Sequence, residues 1–298
     1  MSFAKKSLGQ NFLISPRVVG AIVNAGNLKE GETVLEIGPG KGILTRALLE
    51  SGVFVKAVEK DDRLIPILAE IFKKEISEGK LELIHTDILA LGDGIFSSLR
   101  GDRSKSRFPP TRERISHHQW PNTYKVIANI PYYITGALIR NFLSAKIKPE
   151  MCVLMVQKEV AERIIARDGK ESILSLSVKA YAKPELVMNV SRGNFFPIPN
   201  VDSAVIKLSN IQNPFVNGER IPDKTAENRF FEIVRAGFAQ KRKKLISNLE
   251  KVIPEEITKE TSRKKLKTLF EKLGLDENIR AEDVPLETWL KISQASQN

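Results

Sequence analysis

The stretch Asn129-Ile130-Pro131-Tyr132 follows the apolar run Tyr124 to Ala128, and its residue types suit a flat base that carries an amine. An asparagine amide pairs with the amine edge of adenine. An aromatic ring offers a face on which a base can stack, and proline leaves the backbone beside it without a donor. If the apolar run is a strand, these groups lie together where the strand ends. The stretch therefore predicts an adenine pocket.

A second group of residues is typical of a nucleotide cofactor site. The run 36–42, Glu-Ile-Gly-Pro-Gly-Lys-Gly, follows a predicted strand, and a glycine such as Gly38 lets the backbone approach a ligand closely. Glu59 ends the next predicted strand, where a carboxylate can accept both ribose hydroxyls, and Asp87 follows the third, where it can accept an adenine amine. Ligands of doubly wound sheets bind at these carboxyl ends of the strands.

Two other interpretations of the glycine turn stay open. A tight turn without any ligand is one of them. A nicotinamide dinucleotide site is the other, but it expects G-x-G-x-x-G, and Ile43 stands at the third glycine position while Gly42 comes one residue early. The spacing from Gly38 to Glu59 fits either cofactor. Asp87 together with the Asn129–Tyr132 element favours S-adenosylmethionine and a group transfer onto adenine.

The first half of the chain alternates short β-branched runs with helical patterns, which predicts a parallel sheet with crossover helices. The predicted strands are 33–37, 53–59, 81–85, 124–129 and 151–156, followed by 186–190 and 204–208 as a closing antiparallel pair. The predicted helices are 15–24, 43–50, 64–76, 136–144, 159–167 and 173–182.

Two segments interrupt this alternation. Residues 92–122 contain a Pro-Pro pair and scattered arginines, which predicts a surface insertion, either disordered or a functional loop. Residues 209–228 are rich in Asn, Pro and Gly and are typical of a linker. Helical patterns rich in Lys and Arg follow at 229–248, 257–273 and 286–293. We therefore expect a catalytic domain over 1–208 and a small helical domain over 209–298.

The composition favours a nucleic-acid partner. The formal net charge is +11 and the isoelectric point is near 9.6, so a polyanion is the expected ligand. No apolar run approaches the roughly 18 residues of a membrane helix, and the N-terminus lacks an apolar signal core. Cys152, the single cysteine, lies in an apolar run and is expected to be a buried, inert thiol. These features predict a cytoplasmic protein.

The histidines do not indicate a metal site. His85 lies at a predicted strand end, and His117 and His118 are adjacent residues of the insertion, where neighbouring side chains rarely point the same way. No metal is therefore expected, and we expect the protein to act as a monomer.

Across nearly its whole length the chain resembles the bacterial small-subunit rRNA adenine N6,N6-dimethyltransferases, the kasugamycin-sensitivity methyltransferase family. The resemblance rests on motifs at 6–13, 36–40, 129–132, 195–205, 238–244 and 280–282. The first motifs are shared with the large-subunit rRNA adenine methyltransferases that confer macrolide resistance. The last two are more specific to the small-subunit group. A connection as long as 92–122 departs from the family's pattern.

The resemblance implies a fold and a set of site residues. The fold would be α/β, a Rossmann-like class I methyltransferase sheet with a small C-terminal helical domain. Cofactor contacts would come from Asn11, Leu13, Gly38, Glu59, Asp87 and Asn129. The substrate would be two adjacent adenosines in a loop near the 3′ end of small-subunit rRNA, within an immature small ribosomal subunit.

A mechanism follows from the residue types of the predicted pocket. The Asn129 side-chain oxygen and the Ile130 carbonyl can accept the two amine hydrogens and aim the nitrogen lone pair at the methyl group. Pro131 fixes the backbone beside them. Tyr132 can stack on one face of the base and Phe195 can cover the other. The rate gain then comes mainly from orientation, without a strong general base.

RNA binding is expected from the basic run Lys241, Arg242, Lys243 and Lys244, which can grip phosphates. Three rival functions stay open. They are a large-subunit rRNA methyltransferase, a non-catalytic ribosome-assembly factor that kept the fold, and a nicotinamide-dependent dehydrogenase.

Overall fold

The computed structural model describes residues 10–90, 121–145, 147–216, 222–250, 252 and 259–295. The chain folds into two compact units. The first unit contains residues 1–161 and 182–212, and the second contains 162–181 and 213–298. The predicted boundary at residue 208 thus differs from the observed division, because residues 162–181 pack with the C-terminal helices. The predicted insertion 92–122 lies outside the described residues except at its last two positions.

The first unit is built on a seven-stranded sheet. Its strands are β2 (Thr33–Ile37), β3 (Phe54–Glu59), β4 (Leu81–His85), β5 (Lys125–Asn129), β6 (Met151–Gln157), β7 (Lys183–Val190) and β9 (Ser203–Ser209). They lie in the order β4-β3-β2-β5-β6-β9-β7. The first five run parallel, whereas β9 pairs antiparallel with both β6 and β7. The predicted α/β class and the antiparallel closing strands are confirmed.

A separate two-stranded ribbon joins β1 (Phe12–Leu13) to β8 (Phe195–Phe196). The strands are antiparallel, with Phe12 opposite Phe196 and Leu13 opposite Phe195. Sequence alone did not indicate this pairing, because it joins two dipeptides that lie far apart in the chain. The ribbon brings the N-terminal motif against the loop that precedes β9.

Helices flank the sheet of the first unit. They are α1 (Pro16–Ala25), α2 (Ile43–Glu50), α3 (Leu64–Ile71), α4 (Lys73–Ser77), α5 (Thr135–Ser144) and α6 (Lys158–Ile165), the last of which continues into the second unit. The single helix predicted over 64–76 is wrong, since it breaks at Phe72, whose φ of −109° and ψ of 26° are not helical. The break seats the Phe72 ring against Gly42, where a Cβ would lie 2.5 Å from the ring.

The second unit contains α7 (Ile173–Lys179), α8 (Lys224–Gly237), α9 (Leu245–Leu249), α10 (Lys259–Leu273) and α11 (Leu286–Ala295). Its core includes the fully buried rings of Phe230, Phe270 and Trp289. The Tyr181 hydroxyl donates to the buried Glu227 carboxylate of α8, which ties the end of the 162–181 segment to this unit. No helix among the described residues is long and apolar enough to cross a membrane.

Candidate active site

The Asn129–Tyr132 element lies at the carboxyl end of β5, in the middle of the sheet. Asn129 is the last residue of the strand and stands opposite Met155 of β6. The Ile130 amide donates to the Met155 carbonyl at 3.2 Å, so this N–H is already used inside the protein. Pro131 then turns the chain with φ −55° and ψ 128°, and Tyr132 opens a 3₁₀ turn that leads into α5. The side chain of Ile130 is buried, which anchors the turn.

Tyr132 is held by a residue of the 195–205 motif to which the sequence analysis gave no role. Its hydroxyl lies 2.8 Å from the Ser203 hydroxyl, and Ser203 is fully buried at the start of β9. Burial raises the pKa of Tyr132 above its ordinary value, so this hydroxyl stays protonated. The bond fixes the ring of a half-buried tyrosine whose face borders a cleft. Phe195 of the ribbon, which is 1% exposed, lines the same cleft.

The glycine turn after β2 is shaped for close approach by a ligand. Gly38 has φ +66°, and a Cβ built there would meet nothing within 4 Å. A side chain would therefore be strained and would project into free space of the cleft. Gly40, with φ +58°, differs, because a Cβ there would come within 3.0 Å of the Phe12 ring. Gly38 thus leaves space for a ligand, whereas Gly40 leaves space for the protein's own ribbon.

Glu59 ends β3 beside this turn and is 6% exposed. Its carboxylate accepts the backbone N–H groups of Lys60 and Asp61, each at 2.8 Å, and that of Gly40 at 3.3 Å. Burial raises the pKa of Glu59, and the three backbone donors oppose that effect by stabilising the ionised form. The bonds hold the carboxylate in one orientation at the edge of the cleft.

Glu36, at the end of β2, is a second buried carboxyl of the cleft. It is 1% exposed, and burial raises its pKa to about 8, with the nearby Glu59 adding to the rise. The nearby Thr45 hydroxyl opposes part of this rise, and among the described residues no further hydrogen-bond partner is found for Oε2 of Glu36 or for that hydroxyl. Glu36 is therefore largely protonated at neutral pH. The sequence placed it in the glycine motif but gave it no role.

Asp87 lies beside the cleft, outside its wall. Its Oδ1 accepts the Leu89 N–H at 3.0 Å, and its Oδ2 forms an ion pair with Lys60 Nζ at 2.7 Å. Lys60 itself lines the cleft, and the hydrogen bond with Asp87 raises the pKa of that lysine. The carboxylate predicted to accept an adenine amine is thus linked to the cleft through Lys60.

One cleft brings most of the predicted site residues together, and we call it the nucleotide cleft. Of the predicted residues it is lined by Asn11, Leu13, Gly38, Glu59, Asn129, Ile130, Pro131, Tyr132 and Phe195. It is also lined by Gln10, Glu36, Lys60 and Tyr133, to which the sequence analysis assigned no role. Its volume, with the open mouth included, is about 880 Å³.

The basic run 241–244 belongs to the second unit and has a different backbone from the one predicted. A continuous helix over 229–248 is wrong, because α8 ends at Gly237 and α9 begins only at Leu245. A Cβ at Gly237 would lie 2.3 Å from the Trp289 ring. The buried Asn248 amide donates to the carbonyls of Gly237 and Gln240, at 2.6 and 3.1 Å, and so stabilises the turn. All four basic residues are exposed on this turn.

The donor set of the nucleotide cleft fits S-adenosylmethionine. Gly38 would border the methionine part, the oriented Glu59 carboxylate would accept ribose hydroxyls, and Asn11 and Leu13 would complete the wall. The buried carboxyl of Glu36 provides a further polar group. When bound, S-adenosylmethionine supplies a methyl group attached to a positively charged sulfur. With the parallel sheet, these features define a class I methyltransferase.

Comparisons with known proteins agree with this class. Residues 1–297 match the family model described as ribosomal RNA adenine dimethylase. A Dehalococcoides mccartyi protein named ribosomal RNA small subunit methyltransferase A is 40% identical over 289 residues, which cover 97% of this chain and 87% of that protein. A Geobacillus thermodenitrificans protein of the same name is 35% identical over 293 residues, covering 98% and 90%. The chain therefore belongs to the ribosomal RNA adenine dimethylase family.

Solved structures give the same fold. A dimethyladenosine transferase from Plasmodium falciparum has a TM-score of 0.67 at 26% identity, over 94% of this chain and 95% of that one. The 23S rRNA methyltransferase ErmE has a TM-score of 0.69 at 24% identity, over 97% and 100%, a likeness of fold alone. The predicted family, fold class, enzyme class and methyl donor are confirmed.

Proposed function

We propose that this enzyme transfers methyl groups from S-adenosylmethionine to N6 of adenines in small-subunit rRNA. It would dimethylate two adjacent adenosines in a loop near the 3′ end. One observation carries the proposal: the Asn129–Tyr132 element and the glycine turn with Glu59 open onto the same cleft. The relatives named for small-subunit rRNA support the choice of substrate.

In this proposal Asn129 and Ile130 orient the amine. The amine nitrogen of adenine is a poor nucleophile because its lone pair is delocalised into the ring. The Asn129 side-chain oxygen and the Ile130 carbonyl accept the two amine hydrogens, which favours a pyramidal nitrogen. Because the Ile130 N–H already donates to Met155, no free donor of that residue competes for the base. Orientation of this kind supplies much of the rate gain in such transfers.

Tyr132 and Phe195 hold the base from its two faces. The Tyr132 ring is fixed through its hydroxyl by Ser203, and Phe195 is fixed by the ribbon and by burial. Rings that are already fixed lose little conformational entropy when the base binds, and their π faces tolerate a positive charge on nitrogen. A base must leave its stack to enter such a cleft, which favours a loop as the target.

The substrate is proposed to be an immature small ribosomal subunit in the cytoplasm. The net charge of +11 favours a polyanion. Residues 213–298 of the second unit would act as an RNA-binding domain, with the exposed turn 241–244 contacting phosphates. The enzyme is proposed to act as a monomer.

Primer extension on both ribosomal RNAs tests the choice of substrate. Small and large subunits that lack adenine methylation are incubated with enzyme and S-adenosylmethionine, and stops are mapped on each RNA. The proposal predicts stops at two adjacent adenosines of the small-subunit RNA only. Stops confined to the large-subunit RNA would support the rival function, and the absence of stops on both would contradict a catalytic role.

A further inference from the structure

A second concave region of the first unit lies beside the nucleotide cleft, and we call it the basic groove. It is an open groove of about 660 Å³, volume outside its mouth included, and it is lined by both apolar and polar side chains. The polar residues that line it are Arg17, Lys158, Asn189, Ser191, Asn194 and Asp202. None of these is among the predicted site residues, and the mechanism proposed above uses none of them.

The two cations of the basic groove are available for a ligand. Arg17 is exposed and Lys158 is half-buried, and neither side chain forms an ion pair with another described residue. The carboxylate of Asp202 faces the groove, but its Oδ1 accepts the Arg192 N–H at 2.9 Å. The two cations therefore exceed the one carboxylate, which leaves the groove net positive.

Each of the two cations lies in the first turn of a helix. Arg17 lies in the first turn of α1, and Lys158 is the first residue of α6. Positive ends of helix dipoles add to the attraction that the side chains exert on an anion. The Lys158 backbone donates to the Asp202 carbonyl at 3.0 Å, so the start of α6 is tied to the loop that precedes β9. The segment between Phe195 and β9 therefore contacts the start of α6 and forms part of the groove.

The basic groove adjoins the nucleotide cleft through consecutive residues. Asn194 lines the groove and Phe195 lines the cleft. The Ile14 amide donates to the Asn194 carbonyl at 2.9 Å, which extends the ribbon to this junction. Consecutive residues of one segment therefore line the two sites.

The ribbon at this junction also exposes apolar side chains. Ile14 is 52% exposed, Phe196 is 53% exposed and Ile198 is 63% exposed. Exposed aromatic and aliphatic side chains beside a base pocket suit the unstacked bases of a single strand. Cations and exposed apolar groups near one junction match a strand with a charged backbone and flat bases.

We propose that the basic groove is a second RNA subsite, which binds a backbone phosphate next to the adenosine that enters the nucleotide cleft. This inference rests on the proposed function, because it assumes an RNA strand in that cleft. Arg17 and Lys158 bind the phosphate oxygens, while Phe196 stacks on a flanking base. The subsite positions the strand, and the chemistry stays with the residues of the nucleotide cleft.

The test measures binding of the full chain to small ribosomal subunits that lack adenine methylation, at several KCl concentrations. Arg17→Ala, and Arg17→Ala combined with Lys158→Ala, are compared with Lys73→Ala. Lys73 is exposed on α4 beside β4, at the opposite edge of the sheet from β7, so this control removes a similar charge far from the groove. Cofactor affinity is measured for each variant as a check on folding.

We expect the double variant to bind about tenfold more weakly at low salt. The slope of log K against log salt should fall by roughly 0.7 for each lost phosphate contact. Lys73→Ala should change neither quantity, and Arg17→Lys should restore most of the slope. Because Arg17 is exposed, Arg17→Ala carries the test even if the double variant is unstable.

Two results would overturn the inference: an unchanged slope in the groove variants, or an equal change in Lys73→Ala. Methyl transfer by the unaltered enzyme is measured on the same subunits. If that transfer is absent, the proposed function fails by itself. If transfer is normal and the slopes are unchanged, only the phosphate subsite fails.

Discussion

Replacing Ser203 with alanine removes the group that holds Tyr132 in place. The two hydroxyls lie 2.8 Å apart, and Ser203 is fully buried while Tyr132 is half-buried. A neutral hydrogen bond of this kind contributes about 1 kcal/mol net. If that bond orients the ring that stacks on the adenine, its loss weakens transition-state binding by a similar amount. The expected fall in kcat/KM for RNA is therefore about fivefold.

A double-mutant cycle separates this role from a general effect on packing. Tyr132→Phe removes the other hydroxyl and keeps the ring, so it should cause the same loss as Ser203→Ala. Because each change already removes the whole bond, the double variant should be no worse than either single variant, and the coupling energy should be about 1 kcal/mol. The assay is the initial rate of methyl transfer to small subunits, with cofactor affinity expected to stay unchanged.

Ser209 provides a matched control on the same strand. Its hydroxyl lies 3.5 Å from the Lys183 carbonyl at the far end of β9, away from the nucleotide cleft. Ser209→Ala should leave kcat/KM for RNA unaltered. Fully additive losses in the cycle, or an equal loss in Ser209→Ala, would refute the orienting role of Ser203.

Three further predictions concern the turn, a buried carboxyl and the basic run. Gly38→Ala should weaken cofactor binding, measured by calorimetry, more than it lowers the free energy of unfolding. The control Gly31→Ala, at φ +81° and with a Cβ that also meets nothing within 4 Å, should cost only the left-handed strain of about 1 kcal/mol. Equal cofactor affinities of the two variants would contradict this prediction. The folded state keeps the Glu36 proton up to a pKa of about 8 whereas the unfolded chain releases it near 4.5, so stability should fall as pH rises through that window. Glu36→Gln should remove this fall. If denaturant unfolding shows the same difference in stability between this variant and the unaltered protein at both ends of the pH window, the prediction is contradicted. Replacing the lysines of the turn 241–244 with glutamine should lower the salt slope of RNA binding by roughly 0.7 per lost contact without changing cofactor affinity, and an unaltered slope would exclude that turn from the RNA surface.

Local sequence pattern was enough to predict the sheet and most of the cleft wall. The central strands are short apolar runs that end at polar or glycine residues, and a parallel sheet must gather such ends at one edge. This is why Gly38, Glu59 and Asn129, which follow three different strands, could be placed together. The family resemblance then supplied Asn11 and Leu13, whose local pattern indicates only the start of a helix.

Features that depend on contacts distant in sequence could not be predicted. The ribbon of β1 and β8 and the bond between Tyr132 and Ser203 join segments with no pairing signal of their own. The break at Phe72 and the turn after Gly237 arise from packing against Gly42 and Trp289, where the close approach overrides helical periodicity. The high pKa of Glu36 likewise follows from burial beside Glu59, which no composition reveals.

Mass analysis of nucleosides from small-subunit rRNA tests the central claim most directly. The RNA is digested after incubation with S-adenosylmethionine and either the unaltered enzyme or Asn129→Ala, and cofactor affinity is measured for both proteins. The account predicts N6,N6-dimethyladenosine with the unaltered enzyme, and a loss of at least about a hundredfold with Asn129→Ala, which still binds the cofactor. Near-normal dimethylation by Asn129→Ala, or methyl groups at a position other than N6, would contradict the claim that the carboxyl end of β5 orients an adenine amine.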